Sequence, residues 1–83
     1  MTDEINKPDH YANNMIEPAD FIMYNNLSFW KGNIIKYVVR AGIKQSHPTI
    51  IESEINDLKK VIRYAEMRIN QLEGNAPSHV KGK

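Results

Sequence analysis

The residues most able to do chemistry lie in the stretch GNIIKYVVRAGIK, which runs from Gly32 to Lys44. At about 100° per residue of an α-helix, its polar side chains share one face and its aliphatic side chains point away from that face. Arginine and lysine can bind phosphate, an amide can orient a ligand, and tyrosine can stack on a base. The face therefore suits a ligand with both a phosphate and an aromatic ring, although an ordinary solvated helix face has the same pattern. The candidate binding residues on it are Asn33, Lys36, Tyr37, Arg40 and Lys44.

A second polar strip follows at i, i+3, i+7 and i+11, formed by Asp57, Lys60, Tyr64 and Arg68. This spacing places the side chains on one face of a helix, so Lys60 and Tyr64 join the candidate binding residues. Glu54 lies one turn before Asp57, and two such carboxylates can hold a Mg²⁺ ion that carries phosphates. Acidic residues in the first turns of a helix are also stabilised by the helix dipole without any metal. Glu54 and Asp57 are therefore candidate metal ligands, with the dipole as the alternative explanation.

Ahead of the first predicted helix, the segment KPDHYANN places His10 next to Tyr11. An imidazole and a phenol side by side in a loop can contact a phosphate or a base. The same pair can also dock an N-terminal arm onto the body of the protein by packing alone. We include both residues among the candidate binding residues and leave the role of His10 open.

The candidate residues lie on three predicted helices, each with recognisable end signals. Proline is favoured at the first helical position, serine and threonine at N-caps, and glycine just past a helix end. Thr49 is followed three residues later by Glu52, which is the pattern of a capping box. The helices are predicted from about Glu17 to Asn25 with Pro18 at the start, from Phe29 to Ala41 between Ser28 and Gly42, and from Thr49 to Gly74.

The third helix carries apolar residues at alternating steps of four and three, which is a heptad repeat. At about 1.5 Å per residue it is about 35 Å long, more than two shorter helices easily cover. We therefore predict an all-α, three-helix domain that assembles as a homo-oligomeric helical bundle, either a dimer or a dimer of dimers. The alternative is that the first two helices cover the heptad face themselves. The predicted buried positions are Ile34, Ile35, Val38 and Val39 in the second helix and Ile51, Ile55, Leu58, Ile62, Ala65, Ile69 and Leu72 in the third.

Length, composition and charge limit the classes of protein that fit. The 83 residues suit one small domain, predicted at 10–74 between an extended arm at 1–9 and a flexible tail at 75–83. There are no cysteines, which excludes disulfides and thiolate metal sites. The net charge of +1 gives no reason to expect duplex DNA as a partner. No apolar run approaches the roughly 18 residues of a membrane span and no signal peptide is recognisable, so we expect a soluble cytoplasmic protein.

The motifs, taken in order, resemble those of a small bacteriophage family that is labelled phage nucleotide kinase or SaV-like protein. The family pattern is P-x-H-Y, then a helix opened by I-E, then G-N-x-x-K-Y-x-x-R with a lysine shortly after it. It ends in D-L-x-K with a tyrosine four residues on. The resemblance spans roughly residues 7–72. Its residues here are Pro8, His10, Tyr11, Ile16, Glu17, Gly32, Asn33, Lys36, Tyr37, Arg40, Lys44, Asp57, Leu58, Lys60 and Tyr64.

The resemblance implies a phage protein that acts in the cytoplasm of the infected host, in a family with a member described as phosphorylating deoxynucleoside monophosphates. One open function is therefore a Mg²⁺-dependent nucleoside monophosphate kinase without a phosphate loop. Asp57 and Glu54 would hold the metal, while Lys36 and Arg40 would stabilise the transferred phosphoryl group. A weaker alternative is an all-α nucleotide pyrophosphohydrolase, because its paired acidic helix motifs are half matched at 54–57 and imitated at 17–20.

The function that we favour from the sequence is a nucleotide-binding protein that holds its ligand without turnover and needs no cofactor. In a phage, such a protein would sequester a nucleotide-derived immune signal of the host as an anti-defence activity. The chain has no GxxxxGK[ST] phosphate loop, no GxGxxG and no HExxH motif. Catalysis on a nucleotide usually needs a metal site and a closing lid, whereas binding needs only complementary donors. Several cations and few carboxylates at the candidate site fit the second requirement better.

Overall fold

The computed structural model of the chain describes residues 15–80. This range contains three α-helices and no strand, namely α1 Pro18–Tyr24, α2 Phe29–Arg40 and α3 Ile50–Leu72. The prediction of an all-α protein with a long third helix is therefore confirmed. The arm predicted at residues 1–9 lies outside the described residues. None of the helices at 15–80 combines the length and the apolar character that crossing a lipid bilayer requires.

The ends of the helices are determined mostly by residues close to them in the sequence. Thr49 caps α3 as predicted, because its hydroxyl oxygen accepts a hydrogen bond of 3.1 Å from the backbone N–H of Glu52. Ser28 is the N-cap residue of α2, but its side chain makes no capping hydrogen bond, so the role predicted for its hydroxyl is wrong. Gly42 and Gly74 follow the last turns of α2 and α3 with φ angles of +81° and +86°, which suit glycine.

The long helices α2 and α3 pack side by side in opposite directions. Phe29, at the start of α2, contacts Tyr64 in the second half of α3, and Arg40, at the end of α2, contacts Asp57 in its first half. The short helix α1 approaches α2 closely at Gly32, where an added Cβ would lie 3.0 Å from a methyl carbon of Ile22. The antiparallel pair therefore sets which residues of the two polar strips face each other.

The packing of the single chain buries polar groups and leaves its apolar groups partly exposed. No aliphatic or aromatic side chain within residues 15–80 is fully buried. The predicted buried side of α2 is not borne out, since Val38 is 48% exposed and its three aliphatic neighbours are only half-buried. The reason is that aromatic and polar side chains of α3 pack against α2, and the side chains of α2 that contact them belong to its own polar strip. The buried residues are Pro18, Gly32, Arg40, Ser53, Asp57 and Asn70.

Two buried polar side chains hold the segments on either side of α3. The hydroxyl of Ser53 accepts hydrogen bonds from the backbone N–H groups of Ser46 and His47, both at 2.8 Å, and donates one to the carbonyl of Thr49. The amide of Asn70 donates to carbonyl oxygens at positions 77 and 79. These bonds give residues 75–80 a defined course beside the end of α3, while the predicted flexibility of the tail stays a prediction.

Candidate functional site

The two polar strips predicted from the sequence meet at the interface between α2 and α3. The rings of Tyr37 and Tyr64 stack with their centres 6.0 Å apart and their planes 13° from parallel. Phe29 meets the same Tyr64 ring edge-on, with the centres 5.8 Å apart. Phe29 was not among the predicted site residues, although it continues the strip of α2 one turn before Asn33. The result is a short ladder of aromatic rings between the two helices.

Arg40 and Asp57 form an ion pair at one end of this ladder. The Nε of Arg40 donates to Oδ2 of Asp57 over 3.2 Å, and the two side chains are 10% and 0% exposed. The other carboxylate oxygen of Asp57, Oδ1, is buried and has no hydrogen-bond partner among the described residues. The pair uses only the Nε of Arg40, so the binding role predicted for its two terminal nitrogens stays a prediction. The structure therefore gives Arg40 a role in joining the helices, which the sequence did not reveal.

Two lysines lie beside the same tyrosine without such a partner. The Nζ atoms of Lys36 and Lys60 are 5.1 Å and 4.8 Å from the centre of the Tyr37 ring. Because both are near one ring, the two ammonium groups lie within about 10 Å of each other, which is about one Debye length at 0.1 M ionic strength. Neither lysine forms an ion pair with a carboxylate within residues 15–80. Both are half-buried, so their charges are only partly screened by water.

The charges around Tyr37 therefore do not balance. The Arg40 guanidinium is 5.3 Å from the ring centre, so three cations lie close to the ring, and within residues 15–80 the one carboxylate paired with any of them is that of Asp57. Cations held close together repel each other, and a bound anion would relieve that repulsion. The cluster formed by Lys36, Tyr37, Lys60 and Tyr64, which we call the lysine–tyrosine cluster, has the chemistry of an anion site.

The remaining predicted binding residues either make contacts within or next to α2 or lie outside the described residues. The Asn33 side chain donates to the carbonyl of Phe29 in its own helix over 2.8 Å, so part of its donor capacity is already used. Lys44 follows the end of α2, where its backbone N–H bonds to the carbonyl of Arg40, and its side chain is half-buried. His10 and Tyr11 lie outside the described residues.

The metal site proposed for Glu54 and Asp57 gains no support from the local geometry. Asp57 is paired with Arg40, and the Glu54 carboxylate lies beside Gly42, with an oxygen 3.2 Å from where a Cβ of residue 42 would be. The part of the chain between residues 15 and 80 brings together no group of three or more histidine, cysteine, aspartate or glutamate side chains that could hold a metal ion. The Mg²⁺ hypothesis stays a prediction from the sequence.

The clefts in the surface differ in whether predicted site residues line them. A cleft of about 290 Å³ between α1 and α2 has Asn33 and Lys36 among its lining residues, with Ile22, Met23 and Leu27 on its apolar side. The larger cleft, of about 360 Å³, lies against the tail and contains none of the predicted site residues. The 290 Å³ cleft therefore adjoins the lysine–tyrosine cluster at Lys36, and a smaller cleft of about 130 Å³ adjoins it at Tyr64.

A second group, made of one aromatic ring and two cations, lies toward the start of α2. It was not predicted from the sequence. The Nζ of Lys31 and the guanidinium carbon of Arg68 are 5.6 Å and 5.8 Å from the Trp30 ring. Arg68 also donates to the side-chain oxygen of Gln71 over 3.4 Å. Arg68 belongs to the predicted strip of α3. One part of that strip therefore lies near Tyr37 and another part lies near Trp30. The sequence feature that could have indicated this group is the chain's single tryptophan, Trp30. Its side chain lies just outside the arc of α2 that carries the predicted polar residues.

Comparison with known proteins places the chain in a family. Residues 5–66 match the model of a family described as a protein of unknown function, DUF3310. The chain belongs to this family. The DUF3310 match covers α1, α2 and most of α3, and every predicted site residue lies inside it. No curated protein and no solved structure matches the chain.

Proposed function

We propose that this DUF3310 protein binds a phosphorylated nucleotide at the lysine–tyrosine cluster and holds it without turnover. The observation that carries the proposal is the pair of half-buried ammonium groups of Lys36 and Lys60 on one tyrosine ring, with no carboxylate partner within residues 15–80. The phosphates would bind these two lysines, with Lys44 as a further cation. Tyr37 or Tyr11 would contact the base, as the sequence suggests.

Binding is favoured over phosphoryl transfer because of what surrounds Asp57. A kinase would need this carboxylate for Mg²⁺, whereas it faces Arg40 at 3.2 Å and is fully buried. A binding protein needs only the uncompensated positive charge. The resemblance to the phage family supports a role in the host cytoplasm during infection, where the bound nucleotide would be a signal of host immunity. The nucleoside monophosphate kinase is the alternative that the experiment below separates.

We further propose that the protein works as a homo-oligomer held together along the heptad face of α3. The heptad side chains of the single chain are exposed, from 41% at Leu58 to 69% at Leu72. A chain of 83 residues with no fully buried aliphatic side chain between residues 15 and 80 has little hydrophobic stabilisation of its own. Association would bury this face and would also create pockets between subunits.

The test is equilibrium dialysis of the purified protein against a mixture of nucleoside mono-, di- and triphosphates, read by mass spectrometry. We expect enrichment of a nucleotide that is recovered unchanged after heat release. The double variant Lys36→Ala/Lys60→Ala should lose at least tenfold in affinity, since each charged contact contributes about 1.5–3 kcal/mol. The matched control is Lys31→Ala/Arg63→Ala, which removes the same charge from exposed positions. Equal losses in both variants would contradict the proposed site, and new phosphorylated products with Mg²⁺ and ATP would identify a kinase.

A further inference from the structure

The heptad face of α3 carries information on how two copies would be oriented. At about 100° per residue, this face is centred about 125° around the helix from the strip that faces α2. A second helix can therefore pack against it without displacing α2. The exposed strip is about 35 Å long and about 10 Å wide, and contiguous apolar patches of this size on small proteins mark interaction sites.

We infer that α3 pairs in parallel and in register with α3 of a second copy of this chain. The first argument is the order of the residue types. Ile55, Ile62 and Ile69 occupy one of the two core positions of the heptad, and Leu58 and Leu72 occupy the other. β-Branched residues at the first core position and leucine at the second favour parallel, two-stranded coiled coils. The other members of the second set are Ile51 and Ala65.

The second argument is the charge on either side of the heptad face. In a parallel pair, each residue before a core isoleucine faces the residue five positions later in the partner. Glu54 then meets Lys59 of the partner subunit, and Arg68 meets Glu73 of the partner subunit. Symmetry doubles each of these contacts, so four pairs of opposite charge flank the face. Glu73 already has a partner, and Arg68 contacts Trp30 and Gln71 in its own chain, so only the charges of these two residues are counted here.

The antiparallel arrangement has a poorer charge pattern. In the register with the greatest overlap, Ile62 packs against Leu58 of the partner subunit. Glu52 then faces Glu66 of the partner subunit twice and Lys59 faces Lys59 of the partner subunit once, which is repulsive, while Glu54 faces Arg68 of the partner subunit twice. Three like-charge contacts thus outweigh two favourable ones, whereas the parallel pair has no like-charge contact in the same positions. Flanking charges of this kind select partner and orientation in coiled coils.

The experiment uses single cysteines, because the natural chain has none. Leu58→Cys and Leu72→Cys are made separately in the full chain, oxidised mildly and run on a non-reducing gel. In a parallel, in-register pair each residue lies next to its own copy, so both variants should form disulfide-linked dimers. The control is Arg63→Cys, which lies on the opposite side of α3 and should stay monomeric on the gel. Circular dichroism of the reduced variants establishes that each one is folded.

Two outcomes would overturn the inference. Cross-linking of Ile69→Cys with Ile51→Cys in a mixture, without self-linking of Leu72→Cys, would show the antiparallel arrangement. Absence of any cross-link in folded variants, together with a monomeric mass in sedimentation at high protein concentration, would show that the heptad face does not pair with a second copy. The inference rests on the homo-oligomer proposed above: the first outcome overturns only the orientation, whereas the second overturns the homo-oligomer as well. The lysine–tyrosine cluster lies within one chain, so its nucleotide binding is tested separately by the dialysis experiment.

Discussion

The two long faces of α3 differ in chemistry and in what that chemistry does. The face toward α2 carries Ser53, Asp57 and Tyr64, whose contacts have defined partners and directions. The heptad face carries aliphatic side chains that are about half exposed. Directed polar and aromatic contacts specify one arrangement of two helices, whereas apolar surface attracts any complementary surface. The comparison teaches that the single chain uses its specific contacts internally and leaves much of its apolar surface exposed.

The largest effect is expected from removing the carboxylate on the α2-facing side. Asp57→Ala leaves the guanidinium of Arg40 buried without its partner, and breaking a buried ion pair in this way costs about 3–5 kcal/mol. Urea unfolding followed by circular dichroism would measure the loss. The exposed carboxylate in Glu66→Ala is the control and should change stability by less than about 0.5 kcal/mol. A stability within that range for Asp57→Ala would mean that the pair does not hold α2 on α3.

The heptad face should respond to substitution in a different way. Ile62 is 57% exposed in the single chain, so Ile62→Ala removes apolar surface that the proposed second copy would cover. We expect a loss of about 2–3 kcal/mol per dimer by burial of about 25 cal/mol per Å² in two copies. The loss should depend on protein concentration, because association stabilises the folded state by mass action. Thermal unfolding at concentrations a hundredfold apart distinguishes this from Asp57→Ala, and a loss independent of concentration would remove the difference between the faces.

A smaller effect is expected where α3 holds the segment that precedes it. Ser53→Ala removes the acceptor for two backbone N–H groups and a donor to the carbonyl of Thr49. Leaving buried groups unpaired costs about 1–3 kcal/mol, measured by chemical unfolding. Ser46→Ala removes an exposed hydroxyl from the same segment and should be nearly neutral. If both variants were equally stable, the hydroxyl of Ser53 would not organise this connection.

How much of this could be read from the sequence follows from the range of each interaction. The cap at Thr49 and the glycines after α2 and α3 depend on neighbours within a few residues, and the sequence predicted them correctly. The pairing of Arg40 with Asp57 joins residues 17 positions apart. Nothing in the sequence near either residue distinguishes an ion pair between them from two side chains that bind a ligand. Both were therefore predicted as site residues.

The predicted core failed for a related reason. The pattern of α2 identifies an apolar face and a polar face, and the usual rule turns the apolar face inward. Here the polar face of α2 meets the polar face of α3, because aromatic rings and one ion pair make that interface. A heptad repeat in the sequence does not say whether its apolar face packs within the chain or stays exposed, as it does here. Val38, at 48% exposed, shows the consequence on α2.

The smallest effect, and the finest test of the α2-facing side, concerns the stacked rings of Tyr37 and Tyr64. A double-mutant cycle with Tyr37→Leu and Tyr64→Leu isolates their mutual interaction from their separate burial. Aromatic pairs of this geometry contribute about 0.5–1.5 kcal/mol beyond area burial, so we expect a coupling free energy in that range from urea unfolding. The comparison cycle pairs Tyr37→Leu with Ile62→Ala, one residue on each side of the helix pair, and should give no coupling. A coupling as large across the two faces as between the two rings would mean that the faces do not act separately.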